Sequence, residues 1–575
     1  MASLAFGIDL GTSTSEICVY NNGQLLPISD PRTKSPVVPS IVGINKRGEL
    51  VVGEDARSIA DLPGRGAMEF KRLMGTGEGR VQLMEREYRP EELSALVLRR
   101  LQANAEAVMG TTVTDVVVSV PAFWPDSAKA ATRAATEIAG LNAVRLVAEP
   151  TAAAMAFGVN HLDAEECVVV FDFGGGTLDI SVVEMMEGVL EVRCSFGDPQ
   201  LGGKDVDAAL IGYALERFRS NYPGVDVPET AMPRLKSECE RLKKTLSTSV
   251  SAEGLVPALT VAGGLPIDFE FELTRRDLDS LLSPLLKRAR SCVEEGLARN
   301  SKRVERSAIS RVLLVGGTTY IPAVRQLVAE IFGCEPSAEV EPDLAVAKGA
   351  AVQAALSTGL IERERGLIVT DVAPFGLGID VVNEVGGRLR LVYEPLVQPQ
   401  TTIPYSVRRT YSLLHDRQAQ VEVHLYQDPH GTALTPDDAV DTGIVGLITD
   451  IPPSSSGEPH PIEIAFSYDI DGLVRLRATL PDLEGKEAEL VYRASEFRMN
   501  DSELEEYRSR LASGESAAYD SLEERAEALL KEKDSPELAR VLADFRAARA
   551  SSNLSATEAA ADDLTAILFR YLTEG

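Results

Sequence analysis

The chain has 575 residues, with 58 Lys and Arg against 87 Asp and Glu, and a formal net charge of −29. That balance argues against nucleic acid and anionic membrane as partners, because both need a basic face. The prior at this length is about four domains, and a 44% hydrophobic content is enough for large packed cores. The six cysteines (Cys18, Cys167, Cys194, Cys239, Cys292 and Cys334) contain no CxxC pair and predict buried, reduced thiols. The five histidines show no HxxxH or HExxH spacing, so no transition-metal site is expected. The first strand starts within a few residues of Met1, which predicts no secretion leader. No apolar run reaches the roughly 18 residues needed to span a membrane. A cytoplasmic protein is expected.

Residues 6–12 read FGIDLGT and lead into Ser13, Thr14 and the apolar Ile17, Val19 and Tyr20. Apolar run, Asp9, a turn at Gly11 and Thr12, and a second apolar run predict a strand hairpin. In FKRLMG (70–75), Lys71 is the residue of interest, although a lone lysine is usually a solvated side chain. Residues 115–121 (DVVVSVP) predict a strand ended by proline, and 126–140 a helix with Ala130, Ala134, Ile138 and Ala139 on one side. Residues 146–158 (LVAEPTAAAMAFG) predict a strand end, Pro150 at the first helical turn, and an alanine-rich helix. Glu149 can reach a metal-bound water from there, or simply meet the helix dipole.

Residues 171–181 (FDFGGGTLDIS) repeat the first hairpin: strand, Asp172, a turn of Gly174, Gly175 and Gly176, then Thr177, Asp179 and a strand. Three glycines let backbone N–H groups approach a phosphate closely. A carboxylate beside such a loop can hold hydrated Mg²⁺, which takes only one or two protein carboxylates. Two such hairpins predict a duplicated unit with both loops facing one triphosphate. Neither loop fits a GxxxxGK[ST] or GxGxxG pattern.

Residues 234–249 predict a helix on which Glu240, Lys243 and Ser247 share a face. That face suits ribose hydroxyls and an adenine edge, or only solvent. Residues 311–333 predict a strand, a turn at Gly316 and Gly317, and a helix opening near Pro322 with Val324, Leu327, Val328 and Ile331 at helical period. Residues 343–356 predict a further alanine-rich helix. Residues 358–371 end in the apolar GLIVTD, unusual for a linker. That segment either docks somewhere or is the first strand of the next domain. Residues 372–493 predict an all-β domain of short strands and turns, with Val421, Val423 and Leu425 alternating with Glu422 and His424. From Ser495 onward the chain predicts helices, with capping boxes at Asn500/Glu503 and Ser555/Glu558 and a helix opening at Ser535–Pro536.

Taken together, GIDLGT, FKRLMG, SVPAFW, AEPTAAAMAFG, FDFGGGTLDIS, LGGKD and LLVGGTTYIP resemble the DnaK-type 70 kDa heat-shock chaperone family, in its order and spacing. The likeness runs from Phe6 to about Arg493. The short segment 75–90 and FSYDIDGL resemble the HscC-like branch. The resemblance implies an α/β actin-like two-lobed ATPase domain (1–360), a linker (361–371), an all-β sandwich that binds peptides (372–495) and a short C-terminal helical bundle as lid (496–575). It implies ATP/ADP and Mg²⁺ as cofactors, with K⁺ as a further ion. Asp9 and Asp172 would hold the metal, helped by Glu149 and Asp179. Lys71, Glu149, Asp172, Thr177 and Asp179 would be catalytic. Gly11, Thr12, Ser13, Thr14, Gly174, Gly175, Gly176, Thr177 and Gly203 would cradle phosphates. Glu240, Lys243, Ser247, Gly316, Gly317, Thr318, Tyr320 and Asp343 would surround adenosine. Ile379, Val381, Val382, Leu414, Val421 and Val423 would line the peptide cleft, or else belong to the sandwich core.

The implied partners are extended apolar polypeptides, a J-domain co-chaperone and a nucleotide exchange factor, around a monomer. Three residues depart from the pattern. Tyr320 replaces an arginine, Lys204 stands where an acid is usual, and Lys129 stands where an arginine relays the ATP state and cannot make its forked hydrogen bonds. Two rival readings remain. A metabolite kinase on the same fold leaves the β domain unexplained. An ATP-sensing adaptor for one folded partner is kept open by the short lid and Lys129.

Overall fold

The computed structural model describes residues 4–45, 49–60, 62, 64–77, 79–84, 86–361, 368–373, 375–385, 387–429, 431–469 and 474–492. Beyond these it describes residues 504–505, 507–509, 523, 526–527, 529–531, 535–550, 560–561, 563–564 and 567–568. Two six-stranded sheets share one plan. In the first, Ala5–Leu10 pairs antiparallel with Thr14–Asn21 and parallel with Asp115–Val120. In the second, Glu166–Phe173 pairs antiparallel with Leu178–Met186 and parallel with Ile309–Val315. The duplication expected from the two Asp-Gly-Thr hairpins is therefore present in the strand pairing. The apolar runs Val116–Val118 and Val312–Val315, buried throughout, suit parallel strands covered on both faces.

Between the sheets lie the helices Glu149–Gly158 and Ala345–Ser357, every described residue of the first being buried. Their alanine content lets them cross at backbone distance. A Cβ on Gly349 would fall 1.6 Å from the carbonyl oxygen of Ala152, and one on Gly7 would fall 2.0 Å from the amide of Ala351. Helix Met232–Thr248 buries Leu235, Cys239, Leu242 and Leu246, leaving its other face for the cavity below. The helix expected at 343 begins two residues later, at Ala345.

A sandwich comes next, with one sheet of Arg388–Val397, Gly376–Val385, Val421–Asp428 and Val440–Ile448 and another of Tyr405–Ser412, Pro461–Tyr468, Val474–Thr479 and Glu487–Tyr492. Its core holds Leu377, Ile379, Val423, Leu425, Ile464, Phe466 and Leu476. The alternation read at 421–425 holds: Val423 and Leu425 are buried and Glu422 is exposed.

The apolar linker resolves in an unexpected way. Ile368–Val372 is a strand, and it belongs to both neighbours at once. Ile368, Val369 and Thr370 pair parallel with Val189, Leu190 and Glu191. Asp371 and Val372 pair with Ile403 and Thr402. Leu367 and the rest of 362–367 lie outside the described residues. The sandwich also touches the second large sheet through Gln400, whose Oε1 accepts from Ser195 N at 2.7 Å and whose carbonyl accepts from Arg303. Farther on, Leu504 joins the first lobe's core and Arg508 Nε donates to the Glu137 carbonyl at 2.9 Å. Helix Pro536–Ala550 opens at Ser535, whose Oγ accepts from Leu538 N, as read from the sequence. The expected capping boxes at 500–503 and 555–558 lie outside the described residues. Among the described residues, no helix is long and apolar enough to cross a membrane, and all six cysteines are free.

Candidate functional site

Both hairpin turns open into one cavity of about 820 Å³. The first turn is fixed from behind. Gly11 N donates to Ser15 Oγ at 3.1 Å, Ser40 Oγ donates to the Gly11 carbonyl at 2.9 Å, and a Cβ on Gly11 would lie 2.0 Å from the Thr14 carbonyl oxygen. The second turn is fixed by its carbonyls. Gly174 O accepts from Thr318 Oγ1 at 2.8 Å and Gly203 N at 3.0 Å, and Gly175 O accepts from Lys204 N at 3.0 Å. Because a trans peptide sets C=O and N–H in opposite directions, the amides of Gly175 and Gly176 point away from these anchors. The loops abut: a Cβ on Gly175 would meet Ser13 Oγ at 2.4 Å.

Asp9, Glu149 and Asp172 line the cavity with Lys71. Lys71 Nζ donates to Glu149 Oε1 at 2.8 Å, and Ser119 Oγ donates to Asp9 Oδ1 at 2.6 Å. Asp179 is the exception among the expected catalytic and nucleotide residues. It lies behind Asp172, its strand partner, and is not part of the cavity wall. Burial first, and then the Glu149 carboxylate, raise Asp9 and Asp179 each to about 7 despite Lys71. Burial and the charges of Glu149, Asp179 and Asp9 push Asp172 well above the usual carboxylate range. One ammonium among four acids, of which Glu149, Asp172 and Asp179 are buried and Asp9 is half-buried, leaves an excess of negative charge that a cation would relieve. Asp179 Oδ2 also has no hydrogen-bond partner among the described residues. No group of three or more His, Cys, Asp or Glu is arranged to hold a metal by itself among the described residues.

At the other end, Glu240, Lys243 and Ser247 all face the cavity, as their shared helix face allowed, together with Gly203, Gly316, Gly317, Thr318, Tyr320 and Asp343. Lys243 Nζ is held by Asp207 Oδ1 at 2.6 Å. Burial raises both Tyr320, to about 12, and Asp343, and the two are hydrogen-bonded to each other. Lys204 also faces the cavity. Burial lowers it to about 8, although its Nζ lies 2.9 Å from Glu69 Oε2. Lys236 Nζ approaches the other oxygen of Glu69 at 2.7 Å. Lys129 and Arg145 are the cations acting on Asp371, whose carboxyl burial raises.

The six expected cleft residues do not form one surface. Ile379 and Val423 are buried in the sandwich core, Val381 and Val421 are half-buried against it, and Val382 and Leu414 are exposed. Several partners of the cavity residues escaped the sequence reading. Ser119 is a lone hydroxyl in a valine strand, Trp124 is the chain's one tryptophan and sits 4.9 Å from Lys71 Nζ, and Glu16 is an acid in an apolar strand. Each breaks its local composition, which is the signal available for it.

A family model described as Hsp70 protein matches residues 5–83 and 77–567. The chain is 37% identical over 509 residues to the chaperone protein DnaK of Cenarchaeum symbiosum, covering 87% of this chain and 74% of the relative. It is 36% identical over 507 residues to that of Nitrosopumilus maritimus (87% and 76%), and 37% identical over 491 residues to that of Thermotoga maritima (84% and 79%). The chain therefore belongs to the Hsp70 family, ATP-hydrolysing molecular chaperones that use ATP/ADP with Mg²⁺ and bind unfolded polypeptides and J-domain co-chaperones.

Proposed function

We propose that the cavity between the two hairpins is the ATPase centre and that its state sets polypeptide release from the sandwich. The observation that carries this reading is the convergence of both glycine turns and the buried Lys71–Glu149 pair on one cavity. In this reading the amides of the second loop, with Gly11, Thr12, Ser13 and Thr14, bind phosphate oxygens. Asp9 and Asp172 would hold hydrated Mg²⁺, which supplies charge neutralisation on the phosphates. Lys71 stabilises charge on the transferred phosphoryl group, and Glu149 orients Lys71 and accepts a hydrogen bond from the attacking water. Asp179 acts from behind, through Asp172 and the Thr177 hydroxyl that donates to it. Glu240, Lys243, Ser247, Gly316, Gly317, Thr318, Tyr320 and Asp343 bind adenosine, with Tyr320 replacing cationic contact by an aromatic face.

The strand Ile368–Val372 is the coupling element: it pairs with the ATPase sheet on one side and the sandwich on the other. A ligand shifts an equilibrium only through differential affinity for its states, so ATP must favour the paired strand. Val382 and Leu414 are the residues offered to an extended peptide, while Ile379, Val381, Val421 and Val423 pack in or against the sandwich core. The segment 496–575 serves as a short helical lid. The HscC-like branch, a monomeric cytoplasmic protein, K⁺ as second ion and a nucleotide exchange factor complete the reading. Hydrolysis measured with and without extended apolar peptides and a J-domain tests it. Stimulation by both is expected. A rate indifferent to peptide but raised by one folded protein would favour the adaptor.

A further inference from the structure

The strand Arg388–Val397 ends its sheet. It pairs with Gly376–Val385 on one side, and no strand among the described residues pairs with its other side. One hydrogen bond shows which backbone groups face that open side. Tyr393 N donates outward, to the Leu434 carbonyl at 3.0 Å. Backbone groups alternate in direction along an antiparallel strand, so the N–H and C=O of Leu389 and Leu391 face the same way. Neither residue has a backbone hydrogen bond on that side among the described residues. The side chains sort by face. Leu389 is 72% exposed and Leu391 48%, and both stand on one face. Arg388 and Arg390 stand on the other, exposed and without an ion-pair partner among the described residues. On a chain of net charge −29, two unpaired arginines along one edge are a local exception.

We propose that this open edge binds an extended acidic segment of a partner protein, in which carboxylates alternate with apolar residues, and adds it to the sheet as a further strand. The backbones of Leu389 and Leu391 supply hydrogen bonds. The partner's apolar side chains lie beside the two leucines, and its carboxylates lie beside Arg388 and Arg390. Charge commonly guards an open edge. Here the guard has one sign and occupies one face, so it selects a partner. A second copy pairing edge to edge would bring the arginines of both chains together, a like-charge contact. The edge lies on the far side of its hairpin from Val421–Asp428, where the proposed cleft is, so a peptide in the cleft leaves it open.

Fluorescence anisotropy of a short labelled peptide of alternating valine and glutamate, titrated with the full chain, tests the proposal. An excess of an unlabelled neutral apolar peptide then shows whether the two compete. Wild type is expected to bind the glutamate peptide, to keep it when the neutral peptide is added, and to reject the matching valine–lysine peptide. Arg388→Glu combined with Arg390→Glu should weaken the glutamate peptide at least about tenfold, the scale of two exposed ion pairs turned repulsive, and should admit the lysine peptide. Leu391→Pro removes an outward amide without changing charge, at an edge position that accepts proline, and should weaken the glutamate peptide too. Should the proline variant fail to fold, the exchange of peptide preference in the charge variant decides. No binding by wild type, equal affinity for the two peptides, or displacement of the glutamate peptide by the neutral one overturns the proposal.

Discussion

Lys71 Nζ donates to Glu149 Oε1 at 2.8 Å, with the lysine side chain 4% exposed and packed on Trp124. A buried pair of this kind is weak support for stability, because desolvation offsets much of the attraction. Its placement on the cavity wall points to chemistry instead. Lys71→Ala is expected to abolish hydrolysis while leaving ATP binding largely intact, since the amine acts on phosphate and water, not on the base. Single-turnover hydrolysis within a fewfold of wild type would contradict the assignment, provided circular dichroism shows both proteins folded.

Asp172 and Asp9 are expected to act through the metal. Asp172→Asn should weaken Mg²⁺-dependent ATP retention more than metal-free ADP binding, because the lost charge faces hydrated Mg²⁺. Equal losses with and without Mg²⁺ would count against this role.

The sequence made the hairpins, their duplication and the glycine turns of the cavity wall legible, because glycine turns and acids at strand ends have few other uses; Glu16, Ser40, Asp207 and Lys236, which also line it, carried no such pattern. The cleft was less legible. Ile379 and Val382 are both apolar residues of one strand, but one is core and the other exposed, and alternation alone does not say which face is covered. The linker was ambiguous for a related reason. Its apolar side chains suit either neighbour, and the strand pairs with both. Glu69 could not be read at all: its meeting with Lys204 and Lys236 spans far-separated parts of the chain.

The division of the cleft residues gives a separable pair of outcomes. Ile379→Ala should destabilise the sandwich by about 2–5 kcal/mol, as a large-to-small core change does. Leu414→Ser, at a side chain 58% exposed, should leave the melting temperature nearly unchanged and weaken binding of extended apolar peptides. Thermal melts paired with peptide anisotropy check both. Intact peptide affinity in the serine variant would remove Leu414 from the cleft.

His460 supplies a pH dependence in the sandwich. Its Nδ1 lies 2.6 Å from Asp482 Oδ2 and its Nε2 2.9 Å from the Pro452 carbonyl, so both ring nitrogens face acceptors. The Asp482 carboxylate, and then the Pro452 carbonyl, raise the imidazole above its ordinary value. A raised folded-state pKa stabilises fully below the unfolded value near 6.5, and the contribution is lost as pH rises through the folded value. Wild type should therefore lose melting temperature relative to His460→Gln as pH rises from about 6 to about 9. Parallel curves would show that the imidazolium contributes nothing.

The central claim is that the nucleotide centre controls polypeptide release through the strand shared by both domains. ATP should protect the amides of 368–371 from hydrogen exchange, and ADP should expose them. Replacing Ile368 and Val369 with Asp should preserve ATP binding and peptide binding separately while uncoupling them. The most direct measurement is stopped-flow release of a labelled extended apolar peptide from the full chain on mixing with Mg²⁺-ATP. Faster release with ATP than with ADP is predicted in wild type, and no acceleration in the double variant. Equal release rates with ATP and ADP in wild type would contradict that control.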